Sequence, residues 1–288
     1  MSLPSSVRLF LRDIRIEHTL FALPFAYVGA VLAARGTPTF TQLAWITLAV
    51  LGARTAAMAA NRYFDREIDA VNPRTANRAL ASGALSPRVM IVAAVAGMIL
   101  LLVAASQLNV MCLALAPIAA VAILAYPLCK RVTWGSHFVL GAIDGLAPLG
   151  AFIAISGTVT WAALALFVAV TLWVAGFDVI YALMDREVDL SQGLRSIPAR
   201  FGAGPARSLA IGLHLGMIVL LAAAGAFAGA GAAFYLGVAL AAVLAWYEQR
   251  LFGIAKNLFV LNERVFVSNM VFSVAFLCTT LGGFALRR

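Results

Sequence analysis

Charge is what this 288-residue chain has least of: 21 Lys and Arg and 12 Asp and Glu amount to 11% of its residues. Soluble globular domains carry roughly a quarter, so a water-facing globule is excluded. Cysteine is scarce as well, with three in all. Cys112, Cys129 and Cys278 lie in or beside apolar segments without metal-like spacing, so they read as small buried hydrophobes and support no redox role. No linker or low-complexity tail interrupts the chain, which is expected to form one unit over 1–288. The opening "MSLPSSVRLFLRDIRIEH" lacks the basic–apolar–small order of a cleavable signal.

What fills the space is apolar: 63% of residues are hydrophobic and the mean hydropathy is +0.97. The runs 17–34, 89–128 and 208–246 are too long for single core helices and read as membrane spans of about 20 residues each. The pattern predicts an all-α, polytopic membrane protein with about nine transmembrane helices, near 17–34, 40–62, 88–106, 109–129, 135–156, 160–183, 207–228, 232–251 and 264–285. Turn chemistry separates them: "ARGTPTF", "NPRTANRALASGALSP", "SGTVT", "FGAGP" and "AGAGA". On this layout nearly all basic residues from Arg8 to Arg264 collect on one side, leaving Arg35, Arg287 and Arg288 opposite. That asymmetry places the N-terminus in the cytoplasm of a bacterial-type inner membrane. It also accounts for the net charge of +9 without nucleic acid, because the charge sits in short loops beside a lipid bilayer.

The few carboxylates are not scattered. "AANRYFDREIDAVNPRTANR", residues 59–78, holds three of them and four arginines, and "YALMDREVDLSQGLRSIPAR" repeats the theme from residue 181. Both clusters fall at the cytoplasmic ends of predicted helices, the second and the sixth. That spacing suggests two related four-helix halves around a central cavity, completed by a ninth helix.

Residues four apart share a helix face. Asn61, Asp65 and Asp69 therefore form one oxygen-rich stripe, and Asp185 with Asp189 another. Like charges so placed repel, the more so at a membrane boundary, and call for a cation. Oxygen ligands without His or Cys favour a hard ion, and Mg²⁺ typically binds through one or two carboxylates plus a substrate phosphate. The neighbouring arginines and lysine suit phosphate oxygens. A diphosphate on a chain that belongs in a bilayer points to a polyprenyl diphosphate. The bland alternative is a pair of solvated helix ends, ion-paired to Arg62, Arg66 and Arg186.

The motifs resemble those of a known family. "NRYFDREID" is similar to the N-x-x-x-D-x-x-x-D motif of the UbiA superfamily of intramembrane prenyltransferases, and "DREVD" to its second D-x-x-x-D motif. "YPLCK", Tyr126 to Lys130, resembles its Y-x-x-x-K signature. "RTANRALASG" and "GLRSIPARFG" resemble the loops of the hydroxybenzoate-type branch. "EHTLFALPFAYVGA" and "SHFVLGAIDGLAPLGA" are closer in look to menaquinone-pathway enzymes acting on a hydroxynaphthoate. The resemblance implies Mg²⁺-dependent transfer of a prenyl group to a ring carbon of an aromatic carboxylic acid, in ubiquinone or menaquinone biosynthesis. One departure is Asp144 of "GAIDGLAP", where an uncharged residue is expected.

The resulting assignment gives the metal Asn61, Asp65, Asp69, Asp185 and Asp189. Arg62, Arg66, Lys130, Tyr126 and Arg186 are expected on the diphosphate, and Asp178, seven residues before Asp185, as proton acceptor or as a structural partner of Arg54. Arg54, Arg131, Tyr181 and His18 are expected on the acceptor, with Glu17 beside His18; ordinary packing or anchoring is the competing reading for each. His137 and His214 have no sequence partners that suggest a site. Two rival functions use the same carboxylates: an ion-coupled transporter, and a metal-dependent polyprenyl phosphotransferase or phosphatase.

Overall fold

A computed structural model describes residues 5–15, 19–254 and 258–285, and every regular element among them is helical. In chain order these are α1 (Ser5–Asp13), α2 (Thr19–Ala34), α3 (Phe40–Val71), α4 (Pro87–Leu108), α5 (Val110–Val132), α6 (Ser136–Ser156), α7 (Trp161–Tyr181), α8 (Arg186–Ser191), α9 (Ile197–Phe201), α10 (Ala203–Ala228), α11 (Ala232–Ile254) and α12 (Leu258–Ala285). A 3₁₀ turn, Ala182–Asp185, joins α7 to α8. Eight described helical runs are long and apolar enough to span a bilayer, with Ala22–Ala34 of α2 as a shorter apolar ninth. The expected all-α bundle is what forms.

Local chemistry sets the ends. Thr39 and Gln42 close a capping box at the start of α3, satisfying orphan N–H groups of the first turn. The helix stops at Asn72 because Pro73 follows, and the residue before a proline is pushed out of helical geometry. Asn109 serves both α4 and α5: its Oδ1 accepts from Cys112 N at 2.9 Å and its Nδ2 donates to Ile153 O at 2.8 Å. That one side chain ties the α4–α5 hairpin to the end of α6. Gly157, at φ 71°, caps α6 in the left-handed region that costs glycine nothing.

The packing follows the two-half plan. The second span, α3, packs most closely on the third, α4, as the sixth, α7, does on the seventh, α10. The first spans of the halves, α2 and α6, meet each other. Phe25 of α2 lies 4.8 Å, centroid to centroid, from Trp173 of α7 and 5.5 Å from Phe276 of α12. Trp173 Nε1 donates to Asn269 Oδ1 at 2.7 Å and Asn269 Nδ2 donates to Glu248, which pins α7, α11 and α12 together.

The α3–α4 contact depends on two glycines. A Cβ on Gly97 would come within 2.6 Å of Gly52 O, and one on Gly52 within 2.7 Å of Gly97 O. Small residues at such a crossing let backbones approach where lipid offers no hydrophobic drive for association. Gly97→Val is therefore expected to cost about 1–3 kcal/mol or more, seen as a lower Tm of the detergent-solubilised protein. An unchanged Tm would mean that the helices part freely here.

Two differences from the sequence reading bear on the site. Helix α3 runs to Val71 and not to 62, so the whole first motif is helical. The second motif is not one regular helix, because the chain tightens into the 3₁₀ turn that ends at Asp185.

Candidate active site

Asn61, Asp65 and Asp69 stand at successive turns of α3. Asp65 is 3% exposed. Its Oδ2 accepts from Lys130 Nζ at 2.6 Å and from Asn61 Nδ2 at 3.1 Å. Its Oδ1 is buried with no hydrogen-bond partner. Asp69 Oδ2 accepts from Arg78 Nη1 at 2.7 Å. Lys130 closes α5, four residues after Tyr126, so the Tyr126–Lys130 signature sits across from the first motif.

The loop after α3 carries Asn72 and Arg74, which bridge the halves. Asn72 Oδ1 accepts from Arg74 N at 2.9 Å, an Asx turn that reverses the chain past Pro73. Asn72 Nδ2 then donates to Asp185 Oδ1 at 2.9 Å. Arg74 grips the same carboxylate with two nitrogens, Nε to Oδ1 at 2.9 Å and Nη2 to Oδ2 at 2.5 Å. Its guanidinium also lies over the Tyr181 ring, 5.4 Å from the centroid. Burial disfavours the charge on Arg74, but the bonds to Asp185 outweigh it and raise its pKa above the ordinary value. On the other side, Arg195 N donates to Lys130 O at 2.7 Å, which seats the loop after α8 against the end of α5.

These contacts enclose a polar pocket of about 180 Å³ whose wall includes Asn61, Asp65, Asp69, Asp185 and Asp189 together with Tyr126, Lys130, Asp178 and Tyr181. Asp65 and Asp185, 120 residues apart in sequence, thus open into one cavity. A second cavity of about 380 Å³ is walled almost wholly by apolar side chains of α3, α4, α5 and α6, among which Arg54 and Asp144 are the charged exceptions. Arg54 Nη1 lies 3.5 Å from Asp144 Oδ1. Arg54 and Asn61 are two turns apart on one face of α3, about 10 Å along the axis, so the apolar cavity and the polar pocket follow one another along that helix.

No three His, Cys, Asp or Glu side chains among the described residues converge on one point; Asp65, Asp69 and Asp185 are instead each paired with one cation. The donor set nevertheless fits a hard divalent ion. It is oxygen-only, one buried carboxylate oxygen is orphaned, and five aspartates outnumber the four cations Arg74, Arg78, Lys130 and Arg195 in the pocket wall.

Several expected residues stand elsewhere. Arg62, 3% exposed, donates through Nε to Asp13 O at 2.8 Å and through Nη1 to Asn61 Oδ1 at 2.9 Å. Asp13 in turn accepts from Ala79 N and Leu80 N, so Arg62 locks α1 over the α3–α4 loop and is not a pocket side chain. Arg66 turns outward to Glu67 and over the Tyr63 ring. Arg186 donates to Pro198 O and Arg131 to Phe64 O, so neither reaches the pocket; both brace its rim. His18 and Glu17 lie outside the described residues. Conversely, Arg74, Arg78, Asn72 and His137 stand in the wall without having been assigned there. The repeated Arg at 74 and 78 beside the first motif was the available signal for two of them.

Comparison with known proteins agrees with this geometry. The UbiA prenyltransferase family model matches residues 22–258. A 4-hydroxybenzoate octaprenyltransferase of Alkalilimnicola ehrlichii is 36% identical over 228 residues, covering 77% of this chain and 75% of its own. The apo structure of a UbiA homolog from Aeropyrum pernix superposes with a TM-score of 0.80 at 37% identity, over 89% of this chain and 97% of that one. A UbiA homolog from Archaeoglobus fulgidus, solved with DMAPP and Mg²⁺, shares the fold with a TM-score of 0.73 at 20% identity, over 96% of this chain and 99% of that one. With both aspartate motifs opening into one pocket of a membrane-spanning helical bundle, the chain belongs to the UbiA prenyltransferase family.

Proposed function

We propose that the protein transfers a polyprenyl group from polyprenyl diphosphate to a ring carbon of an aromatic carboxylic acid, a 4-hydroxybenzoate or a hydroxynaphthoate, in respiratory quinone biosynthesis. The observation that carries this reading is the succession of two cavities along α3, one of about 180 Å³ lined by aspartates and cations, the other of about 380 Å³ and almost wholly apolar. The excess of basic residues in the loops on the pocket's side supports a cytoplasmic pocket.

Mg²⁺ fits Asn61, Asp65, Asp69, Asp185 and Asp189, and when bound it neutralises the charge that builds on the leaving diphosphate. Lys130, Arg74 and Arg78 supply donors for the same oxygens, already oriented by their carboxylate partners. As the allylic C–O bond breaks, diphosphate leaves with the electron pair. The apolar walls keep water from the cation, and the rings of Tyr126 and Tyr181 face it. The ring carbon of the acceptor forms the new C–C bond, and its proton passes to Asp178. Arg54, in the cavity wall, is the partner for the acceptor's carboxylate, which competes there with Asp144.

A cation transporter is disfavoured because the carboxylates stand at helix ends among Lys130, Arg74 and Arg78, whose charges repel a bare ion but suit one accompanied by a diphosphate. The test incubates the purified protein with Mg²⁺, geranyl or a longer polyprenyl diphosphate, and a panel holding 4-hydroxybenzoate, a hydroxynaphthoate and neutral phenols. Mass spectrometry should find a C-prenylated acid. Diphosphate release with only the prenyl alcohol as product would replace transfer by hydrolysis.

A further inference from the structure

We infer that His137 is a positioning residue that holds Asp178 oriented and anionic as the acceptor of the ring proton. The inference rests on the proton-acceptor role given to Asp178 above, and its geometry stands apart from that role.

His137 is the second residue of α6 and is 3% exposed. Its Nδ1 lies 2.7 Å from Asp178 Oδ2 on α7. Its Nε2 lies 3.3 Å from the backbone N of Ile197, the first residue of α9. A backbone N–H can only donate, so Nε2 must offer its lone pair. A neutral imidazole with a bare Nε2 carries its proton on Nδ1. The proton therefore points at Asp178, and Asp178 accepts it as a carboxylate. Both bonds have a fixed direction, and together they fix the tautomer.

This arrangement does two things for the pocket. It commits Oδ2 of Asp178 to the imidazole and leaves Oδ1 for a substrate, on a side chain still 24% exposed to the cavity. A carboxylate held in one rotamer loses less freedom when it meets the substrate proton. The imidazole also satisfies one of the orphan N–H groups at the start of α9, next to Arg195 and Ser196 in the pocket wall. The same ring thus couples the base to the loop that follows the second aspartate motif. Serine hydrolases use a carboxylate to orient an imidazole; here the imidazole orients the carboxylate.

Glutamine supplies what the ring supplies, one N–H donor and one acceptor on a planar group of similar reach. With geranyl diphosphate and either 4-hydroxybenzoate or the hydroxynaphthoate, H137L should lower kcat roughly 10- to 100-fold, as loss of an orienting partner does at other sites, with the KM for the donor unchanged. H137Q should recover most of that loss. D178N should cost roughly 10²- to 10⁴-fold, and H137L/D178N should be no slower than D178N, because the histidine acts only through the aspartate. Equal impairment of H137Q and H137L, or additive losses in the double variant, would overturn the inference. A second readout does not depend on turnover. ¹⁵N-histidine NMR of the wild-type protein should show one ring of the three with Nδ1 protonated and Nε2 bare, absent in H137Q; protonation of that ring on Nε2 overturns the proposal. If the wild type prenylates neither acid, the assigned function falls while the tautomer measurement still decides whether His137 holds Asp178 as described.

Discussion

Asp65→Asn will lower prenyl transfer by roughly a thousandfold or more while the protein still inserts and folds. The lesion is chemical, because asparagine fills the same volume. It keeps an oxygen to accept from Lys130 Nζ, which now stands 2.6 Å from Asp65 Oδ2, so packing around α3 and α5 changes little. What is lost is the charge and the free oxygen, Oδ1, that no group among the described residues satisfies. If that oxygen exists to bind a metal that stabilises a leaving diphosphate, its removal withdraws several kcal/mol from the transition state, and about 4 kcal/mol is a thousandfold. Asp185→Asn should do the same and also loosen Arg74, which grips both carboxylate oxygens. Initial rates measured by product mass, beside Tm values for the two variants, check this. Turnover within tenfold of the wild type for both would remove the carboxylates from the chemistry and leave them as structural anchors for Lys130 and Arg74.

The contrast between these residues and the misplaced arginines explains what the amino-acid order could and could not convey. Asp65 and Asp69 were legible because helix geometry fixes where residues four apart must point, and α3 is regular through the whole motif. The spans were legible because a bilayer demands long apolar runs. Arg62 shares that helix yet left the expected set, since its partner Asp13 sits 49 positions earlier in a short N-terminal helix that no apolar period announces. Arg74 and Arg78 escaped for the opposite reason: they lie in a loop, where no period dictates direction, and only the Asx turn at Asn72 aims them inward. His137 depends on Asp178 and Ile197, 41 and 60 positions away, and pairing at that range is decided by how α6, α7 and α9 pack. The second motif held its residues but not its shape, because Asp185 closes a 3₁₀ turn.

Chelation is the sharper test of the whole site, and electrostatics sets its sign. The pocket wall holds five aspartates against Arg74, Arg78, Lys130 and Arg195, a formal excess of one negative charge before any substrate arrives. A diphosphate ester brings about three more negative charges into a space of about 180 Å³, where charges a few ångströms apart interact by several kcal/mol at the effective dielectric of a protein edge. The resident cations are already partly neutralised, since Lys130, Arg74 and Arg78 are each bonded to an aspartate, and their remaining N–H donors bring no extra charge to balance the diphosphate. Donor binding therefore requires cations from solution, and EDTA should reduce turnover to background with Mg²⁺ in excess restoring it. Direct binding separates this from a purely catalytic role for the ion. A non-hydrolysable prenyl diphosphate analogue should lose affinity in chelator by at least roughly tenfold, or about 1.4 kcal/mol. Unchanged affinity and full turnover in chelator would mean that Arg74, Arg78 and Lys130 leave their carboxylates to hold the diphosphate unaided, with the aspartates then repelling the substrate they are arranged around.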